Sequence, residues 1–86
     1  MASPNPFNPR TTLAFELAGK QQVTLQIHDA AGRLVRTLLH ESRAAGKHAV
    51  PWDGKDEAGR SLASGVYYVS LVAKEGRLNT KLVLLQ

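Results

Sequence analysis

Apolar and polar residues alternate along much of this chain. The clearest case is the segment 22–29, in which Val23, Leu25 and Ile27 are separated by single polar residues. A period of two puts every second side chain on the same face, which is typical of a β-strand with one buried face. This pattern, together with runs of β-branched and aromatic residues, predicts strands at 11–17, 22–29, 33–39, 47–52, 66–73 and 78–85.

The segment 33–39 departs from this alternation, because its leucine and valine residues fit helical spacing as well as strand spacing. We predict a strand here, since valine and threonine favour strands and the short loop ending at Gly32 sets up a hairpin. A β-bulge would explain the broken alternation. The residues that follow, 40–45, allow a single helical turn.

In two other predicted strands, the residues also indicate where the strand lies in its sheet. Proline has no N–H to give to a sheet, so Pro51 predicts that the strand 47–52 lies at an edge or carries a bulge. The strand 66–73 is apolar on both faces, which predicts a central position in a sheet.

Short strands separated by glycine-containing turns, without a convincing helix, predict an all-β fold. The expected architecture is an immunoglobulin- or fibronectin-III-like β-sandwich of about six to seven antiparallel strands. The chain has no cysteine, so the Cys…Trp…Cys spacing of antibody domains is missing. We assign residues 11–86 to a single domain.

Residues 1–10 form a linker or lead-in in this interpretation. The two Asn-Pro pairs, at Asn5-Pro6 and Asn8-Pro9, disfavour helix and force an extended or turned course. We expect Phe7, between them, to anchor the lead-in on the domain edge. The alternative is a PxxP ligand motif at 6–9.

The net charge is +4, from eleven lysine and arginine residues against seven acidic ones. The basic residues are scattered singly and no aromatic residue alternates with them, so we predict a solvated surface and no nucleic-acid partner. The longest apolar run is far shorter than the ~20 residues of a membrane helix, so no membrane insertion is expected. The first residues also lack the basic-then-apolar pattern of a signal peptide.

The stretch 50–71 contains the one tryptophan and both tyrosines of the chain. We expect Trp52 to fill the core, aspartates to hold the loop by capping backbone amides, and glycines to let the chain cross between sheets. The structural signature consists of Trp52, Asp53, Gly54, Asp56, Gly59, Ser64, Gly65 and Tyr67.

The same stretch holds the only candidates for a metal site, Asp53, Asp56 and Glu57. Calcium needs six to eight oxygen ligands, and the spacing is not that of an EF-hand, so turn chemistry is the favoured interpretation and calcium remains an alternative. The three histidines, at 28, 40 and 48, lack the close spacing of zinc ligands.

No catalytic constellation is present, so we predict that the domain is not an enzyme and binds no cofactor. Cysteine is missing, and none of the serines lies in a G-x-S-x-G elbow. A spontaneous isopeptide cross-link of Lys81 with Asn79 or Asp29 is a remaining alternative, which requires those groups to be buried together.

Five groups of residues carry a family resemblance. They are Asn5-Pro6-Phe7-Asn8-Pro9, Asp29-x-x-Gly32-Arg33-x-Val35-Arg36, Trp52-Asp53-Gly54-x-Asp56-x-x-Gly59, Ser64-Gly65-Val66-Tyr67 and Lys81-Leu82-Val83-Leu84. The chain resembles the FlgD immunoglobulin-like family and its relative, the C-terminal sorting domain of the bacterial type IX (Por) secretion system. The likeness covers nearly the whole chain. His28 departs from it, since an aromatic residue, usually tyrosine, is more typical there.

The resemblance implies a non-catalytic module that sorts a secreted parent protein to the cell surface through the periplasm. Its implied partners are upstream domains of the parent protein and the outer-membrane secretion machinery, and the domain is expected to be a monomer. The sorting-signal candidates are Lys81, Leu82, Val83 and Leu84. The alternative is a structural Ig-like spacer or assembly module, either like that of the flagellar hook cap or as an accessory domain of an extracellular enzyme.

Overall fold

The computed structural model describes residues 10–85. The predicted lead-in, with Phe7 and the PxxP motif, therefore lies outside the described residues, apart from Arg10. Six strands follow one another: β1 Thr11–Leu17, β2 Gln21–Asp29, β3 Leu34–Arg43, β4 Gly46–Trp52, β5 Gly65–Ala73 and β6 Gly76–Leu84. The described residues contain no helix, and so no helix that could span a membrane.

The six strands form two sheets, one with the order β1-β4 and the other with the order β3-β2-β5-β6. All pairs are antiparallel. This confirms the all-β sandwich expected from the sequence, with six strands in the described residues. β5 lies between β2 and β6, so the prediction of a central position for this strand is also confirmed.

The alternating apolar residues of β2 form one fully buried face of the strand. Val23, Leu25 and Ile27 are at most 2% exposed, and they face the space between the two sheets. β5 continues the same layer, because Leu25 is paired with Leu71 and Ile27 with Val69. Without disulfides, the domain depends on this burial, to which each fully buried aliphatic side chain contributes about 1.5–3 kcal/mol.

Two register irregularities occur between β2 and β3, as the broken alternation predicted. Leu25 is paired with Leu39 but Gln26 with Thr37, and Ile27 is paired with Arg36 but His28 with Leu34. Leu38 and Val35 are therefore extra residues in β3, and such bulges bend a strand and change the face that its side chains occupy. This is why the apolar residues of β3 mimic helical spacing.

The helical turn considered for residues 40–45 is wrong. β3 continues through this segment to Arg43, and β4 begins at Gly46 after a short turn. His40, Glu41 and Ser42 pair with β2 and so remain in the sheet. Pairing with a long neighbouring strand outweighs the weak local preference of these residues.

The smaller sheet covers the large one through β1 and β4. Within residues 10–85, β4 pairs only with β1, and the exposed Pro51 lies opposite Thr12, which fits the edge position predicted for it. Phe15 and His48 are cross-strand partners whose rings stack with centroids 5.3 Å apart. Trp52, at the end of β4, is only 2% exposed. Its ring meets that of Tyr67 edge-on at 6.2 Å.

A buried glutamine joins two turns at one end of the sandwich. Gln21 Nε2 donates to the carbonyl of Gly19 at 3.0 Å and to Glu75 Oε2 at 3.2 Å. Gln21 Oε1 accepts the N–H of Lys74 at 2.8 Å. The β1–β2 turn and the β5–β6 turn are thereby tied together by one side chain.

Candidate functional site

The longest connection in the described part of the chain, between β4 and β5, contains most of the signature residues. We call its first part, residues 53–62, the WDG loop. The loop folds back on itself as a small hairpin, with a bridge between Lys55 and Ser61 and a hydrogen bond of 3.0 Å from Leu62 N–H to the Gly54 carbonyl. Gly54 is buried and has φ 75°, a conformation that favours glycine.

The carbonyl of Lys55 is the centre of the WDG loop. It accepts the indole Nε1–H of Trp52 at 3.1 Å and a guanidinium N–H of Arg36 at 2.9 Å. Asp53 Oδ1 in turn accepts the N–H of Lys55 at 3.2 Å and Arg36 Nη1 at 3.2 Å. The tryptophan in the core, the aspartate after it and an arginine of β3 are therefore all held by the backbone of one residue.

Two turns with the sequence Asp-x-Ala-Gly-Arg have the same hydrogen bonds. They span Asp29–Arg33, between β2 and β3, and Asp56–Arg60, in the WDG loop. In each, Oδ1 of the aspartate accepts the N–H groups two and four residues later, at 2.9–3.0 Å. The aspartate N–H donates to the arginine carbonyl, and the glycine N–H donates to the aspartate carbonyl.

The side chains of the two turns also match. The arginine Nε lies 3.3 Å from Asp29 Oδ2 in the first turn and 3.2 Å from Asp56 Oδ2 in the second. The glycines have φ 89° and 85°. Side-chain oxygens that accept nearby backbone N–H groups are a common way to close such turns. The two motifs are therefore structural devices of the same kind.

The WDG loop also contacts the outer edge of β3. The N–H of Glu57 donates to the Val35 carbonyl at 3.0 Å, and Glu57 Oε1 accepts the N–H of Thr37 at 2.9 Å. These contacts satisfy backbone groups that an edge strand would otherwise expose. The loop thus protects the first part of this edge of the four-stranded sheet, at residues 35–37.

The start of β5 is fixed by Tyr67, whose ring is buried against Trp52. Its hydroxyl donates to the carbonyl of Ala63, four residues earlier, at 2.7 Å. This contact resembles the tyrosine corner of immunoglobulin-like sandwiches, in which a tyrosine hydroxyl bonds back to the preceding backbone. Burial raises the pKa of the Tyr67 hydroxyl, and the charge of Asp29 raises it further.

The carboxylates that the sequence offered as metal ligands are all engaged by protein donors. Asp53 binds Lys55 N–H and Arg36, Asp56 binds its own turn, and Glu57 binds Thr37 N–H. Among residues 10–85 no group of three or more histidine or acidic side chains could hold a metal ion. Turn chemistry is thus the role that the geometry gives to these residues.

The pKa values of three aspartates reflect these contacts. The Arg33 N–H lowers the pKa of Asp29 below its ordinary value of 3.8, and the Arg60 N–H does the same for Asp56. Burial acts to raise the pKa of Asp53, but the Lys55 N–H and the charge of Arg36 outweigh it, so that pKa is also lowered. The charged forms are favoured because they accept hydrogen bonds.

The histidines lie in different places. His40 Nδ1 is 3.0 Å from Thr24 Oγ1, and His28 is paired with Tyr68 and Leu34 in the large sheet. The His48 Nε2–H donates to the Ala44 carbonyl at 2.8 Å. They do not combine into a site.

The sorting-signal candidates are part of the last strand. Lys81 and Val83 are exposed, Leu82 is half-buried against the core and Leu84 is only 5% exposed. Because Lys81 is exposed, the burial that an isopeptide cross-link to Asn79 or Asp29 requires is missing. The described candidates are therefore components of an intact sheet rather than of a cross-linking site.

Sequence reasoning missed two residues that organise these loops. Arg36 belongs to the family pattern, but the sequence of β3 does not indicate that the Arg36 side chain reaches the WDG loop. Gln21 carried no signal, since a polar residue in a turn is ordinarily solvated. The twin turns did have a signal, because Asp-x-Ala-Gly-Arg occurs twice in the sequence.

An antiparallel two-sheet sandwich with a tyrosine corner, whose longest described loop uses its polar groups to bind itself and β3, defines an immunoglobulin-like structural domain. Comparison with known proteins identifies the family. The FlgD Ig-like domain model matches residues 5–77, and the chain belongs to this family.

Individual proteins with similar sequences agree with this assignment. The basal-body rod modification protein FlgD of Salmonella typhimurium (strain LT2) is 40% identical over 55 residues, which cover 64% of this chain and 24% of that protein. The FlgD of Salmonella typhi matches equally. The matched segment thus spans about a quarter of the length of these relatives.

Solved FlgD structures share the fold. The structure of FlgD from Xanthomonas campestris, described in terms of hook capping essential for flagellar assembly, superimposes with a TM-score of 0.67 at 26% identity, over 90% of this chain and 56% of that chain. FlgD from P. aeruginosa gives 0.68 at 23% identity, over 87% and 60%. These relatives support the FlgD part of the resemblance and give no support to its type IX part.

We predict that Tyr67→Phe lowers the free energy of unfolding by about 1 kcal/mol, because it removes the hydroxyl that binds the Ala63 carbonyl and leaves the ring in place. Urea denaturation measures the loss. Tyr68→Phe is the matched control, because Tyr68 is 42% exposed, and it should change stability by less than about 0.5 kcal/mol. Equal effects of the two substitutions would contradict a structural role for the Tyr67 hydroxyl.

We also predict that the domain loses stability in acid. A carboxyl whose pKa is lower in the folded state contributes stability that is present above its ordinary pKa of 3.8 and is lost as pH falls through the folded pKa. Asp56→Asn should flatten this loss, which sets in as the pH falls toward the ordinary pKa of 3.8. Chemical denaturation at a series of pH values measures it.

Glu16→Gln is the control for this experiment, since it removes an exposed carboxylate of β1 outside the turns. An unchanged pH dependence in Asp56→Asn would show that its carboxylate contributes nothing to the stability of the turn.

Proposed function

We propose that this domain is a non-catalytic structural module that supports the assembly of a larger protein, as a domain of a flagellar hook-capping protein would. The observation that carries the proposal is the match of the FlgD Ig-like domain model to residues 5–77. The X. campestris relative is described as a protein of hook capping. The partners would then be the other domains of its own protein and the subunits that the cap contacts.

The arrangement of polar groups supports a structural role. The carboxylates of the WDG loop bind backbone N–H groups or Arg36, and the twin turns are closed by their own aspartates. A nucleophile or general base must instead be free to reach a substrate. A domain whose loops are held in this way has a fixed shape, which lowers the entropic cost of assembly with a partner.

The proposal can be tested by a chimera. The segment of Salmonella FlgD that matches this chain is replaced by the matching segment of this chain, and the chimera is expressed in a strain that lacks FlgD. We expect hook elongation and swimming to be restored, because the two segments are 40% identical. Electron microscopy of hooks and motility in soft agar measure the result.

The same chimera with Trp52→Ala is the control, because removing a buried tryptophan costs about 3–5 kcal/mol and should abolish assembly. A chimera that accumulates stably in cells but forms no hooks would contradict the assembly function.

A second candidate function is sorting to the cell surface by the type IX system, with the periplasm as transit and the outer-membrane machinery as partner. One observation favours it: Lys81 and Val83 are exposed on an edge strand, where a receptor could contact them. The family model ends at residue 77 and does not include these residues. This candidate would make the exposed side chains at the end of β6 the part that the secretion machinery contacts.

Sorting is tested by fusing residues 5–86 to a periplasmic reporter in a host that has the type IX system. If the candidate is correct, the reporter reaches the cell surface, and truncation of residues 81–86 prevents this. Surface labelling measures display. A fusion with Lys20→Glu, which changes an exposed charge far along the chain from β6, is the control for fold and expression. Equal display of the full and truncated reporters would contradict sorting.

A further inference from the structure

The two edges of the four-stranded sheet differ. The first part of β3, at one edge, is covered by the WDG loop through Glu57, as described above. β6, at the other edge, pairs only with β5 within residues 10–85. The N–H and C=O groups along the outer side of an edge strand form a template on which another strand can add.

Within residues 10–85, β6 has no bulge and no loop that covers its outer edge. Its register with β5 runs without interruption from Gly76 to Leu84, and it contains no proline. β3 is bulged at two points, and β4 carries Pro51. Sheets prevent strand addition by bulges, prolines, covering loops and charged side chains, and of these β6 has only the charged side chains, Arg77 and Lys81. These two residues repel a basic strand but attract an acidic one, so β6 is the edge of this sheet that remains open to an acidic strand.

The inner side of β6 borders an apolar groove. The groove lies between β1 and β6 and has a volume of about 380 Å³. Its apolar lining includes Leu13 and Phe15 from β1, Val69 and Leu71 from β5, and Leu78 from β6. Leu78 is paired with Leu71 yet is 72% exposed, because the smaller sheet does not extend over it. Apolar side chains of an added strand would cover Leu78 there.

The opposite side of β6 carries positive charge. Arg77 and Lys81 are exposed, and their cross-strand partners are Val72 and Tyr68. The whole segment 76–85 contains no acidic residue. Cross-strand pairs of opposite charge stabilise a sheet, and pairs of like charge destabilise it. A second copy of β6 would bring like charges together, whereas an acidic strand would pair favourably with both.

We propose that β6 binds an extended acidic segment of a partner protein by strand addition. Apolar side chains of that segment face the groove over Leu78, and its carboxylates face Arg77 and Lys81. Main-chain hydrogen bonds to the open edge supply the affinity, and the two alternating sets of side chains supply the specificity. The inference rests on the proposed function, because it names the chemistry of the partner that an assembly module would contact.

The test uses the full 86-residue chain, labelled with ¹⁵N, and a capped ten-residue peptide of alternating valine and glutamate. Two comparison peptides replace every glutamate with lysine, or every valine with proline. We expect amide shifts confined to β6 and its neighbours in β5, and an affinity at least ~10-fold higher for the acidic peptide than for the basic one. The proline peptide keeps the charge but cannot form a strand, so it should not bind.

Charge reversal on β6 sharpens the test. In Arg77→Glu/Lys81→Glu the preference should invert, so that the basic peptide binds better than the acidic one. Both side chains are exposed, so the fold is expected to be retained. Lys20→Glu/Lys47→Glu makes the same change in net charge at exposed positions outside β6, and it should keep the preference of the wild type.

Several outcomes would overturn the proposal. One is that the acidic peptide does not bind the full chain, and another is that the proline peptide binds as well as the acidic one. A third is that Lys20→Glu/Lys47→Glu loses the preference for the acidic peptide as fully as Arg77→Glu/Lys81→Glu does. A concentration-dependent dimer joined through β6 would make a second copy the occupant. A nuclear Overhauser contact between Phe7 and Leu78 in the free chain would make residues 1–9 the occupant. If the peptide fails to bind while the FlgD chimera still forms hooks, only the role of β6 is wrong and the assembly function stands.

Discussion

The Lys55 carbonyl, which accepts both the Trp52 indole and the Arg36 guanidinium, is the contact on which the rest of the domain depends. The indole N–H must find an acceptor when its ring enters the core, since an unpaired buried donor is costly. Supplying that acceptor from the backbone fixes the direction of the WDG loop. The loop then reaches β3, where Glu57 binds the strand edge. Core packing and edge protection are therefore linked through residues 55–57 of one loop.

Sequence reasoning predicted the strands and their buried faces well, but it predicted the contacts between strands and loops less well. The alternation of Val23, Leu25 and Ile27 predicted a one-faced strand, because burial of one face imposes that pattern directly. The exact bulge positions in β3 depend on how it meets β2, which no local pattern encodes. Thr37 and Glu57 are distant in the chain, so their hydrogen bond becomes visible only in three dimensions. The twin turns are the exception, because their contacts close within five residues of sequence.

Membership in the FlgD Ig-like family defines the architecture of the domain, whereas its partners depend on its exposed surfaces. The WDG loop, the twin turns and the tyrosine corner all stabilise the sandwich, so the signature residues identify the family through its architecture. Surfaces that do not stabilise the fold remain available for partners. β6 is such a surface, since its inner face contributes only in part to the core and its outer face carries cationic side chains. Hook-cap assembly and surface sorting would place different partners on one scaffold.

The division into two sheets has a consequence for how the domain folds. In the described part of the chain, residues 10–85, the ladder between β1 and β4 is not hydrogen-bonded to the four-stranded sheet, so the two layers meet mainly through side chains. β2–β3 and β5–β6 join strands that are adjacent in the chain, whereas β2–β5 and β1–β4 join strands that are distant in it. Closing long loops costs entropy, so we expect the two hairpins to form before the pairings that close the four-stranded sheet and cover it with the smaller one.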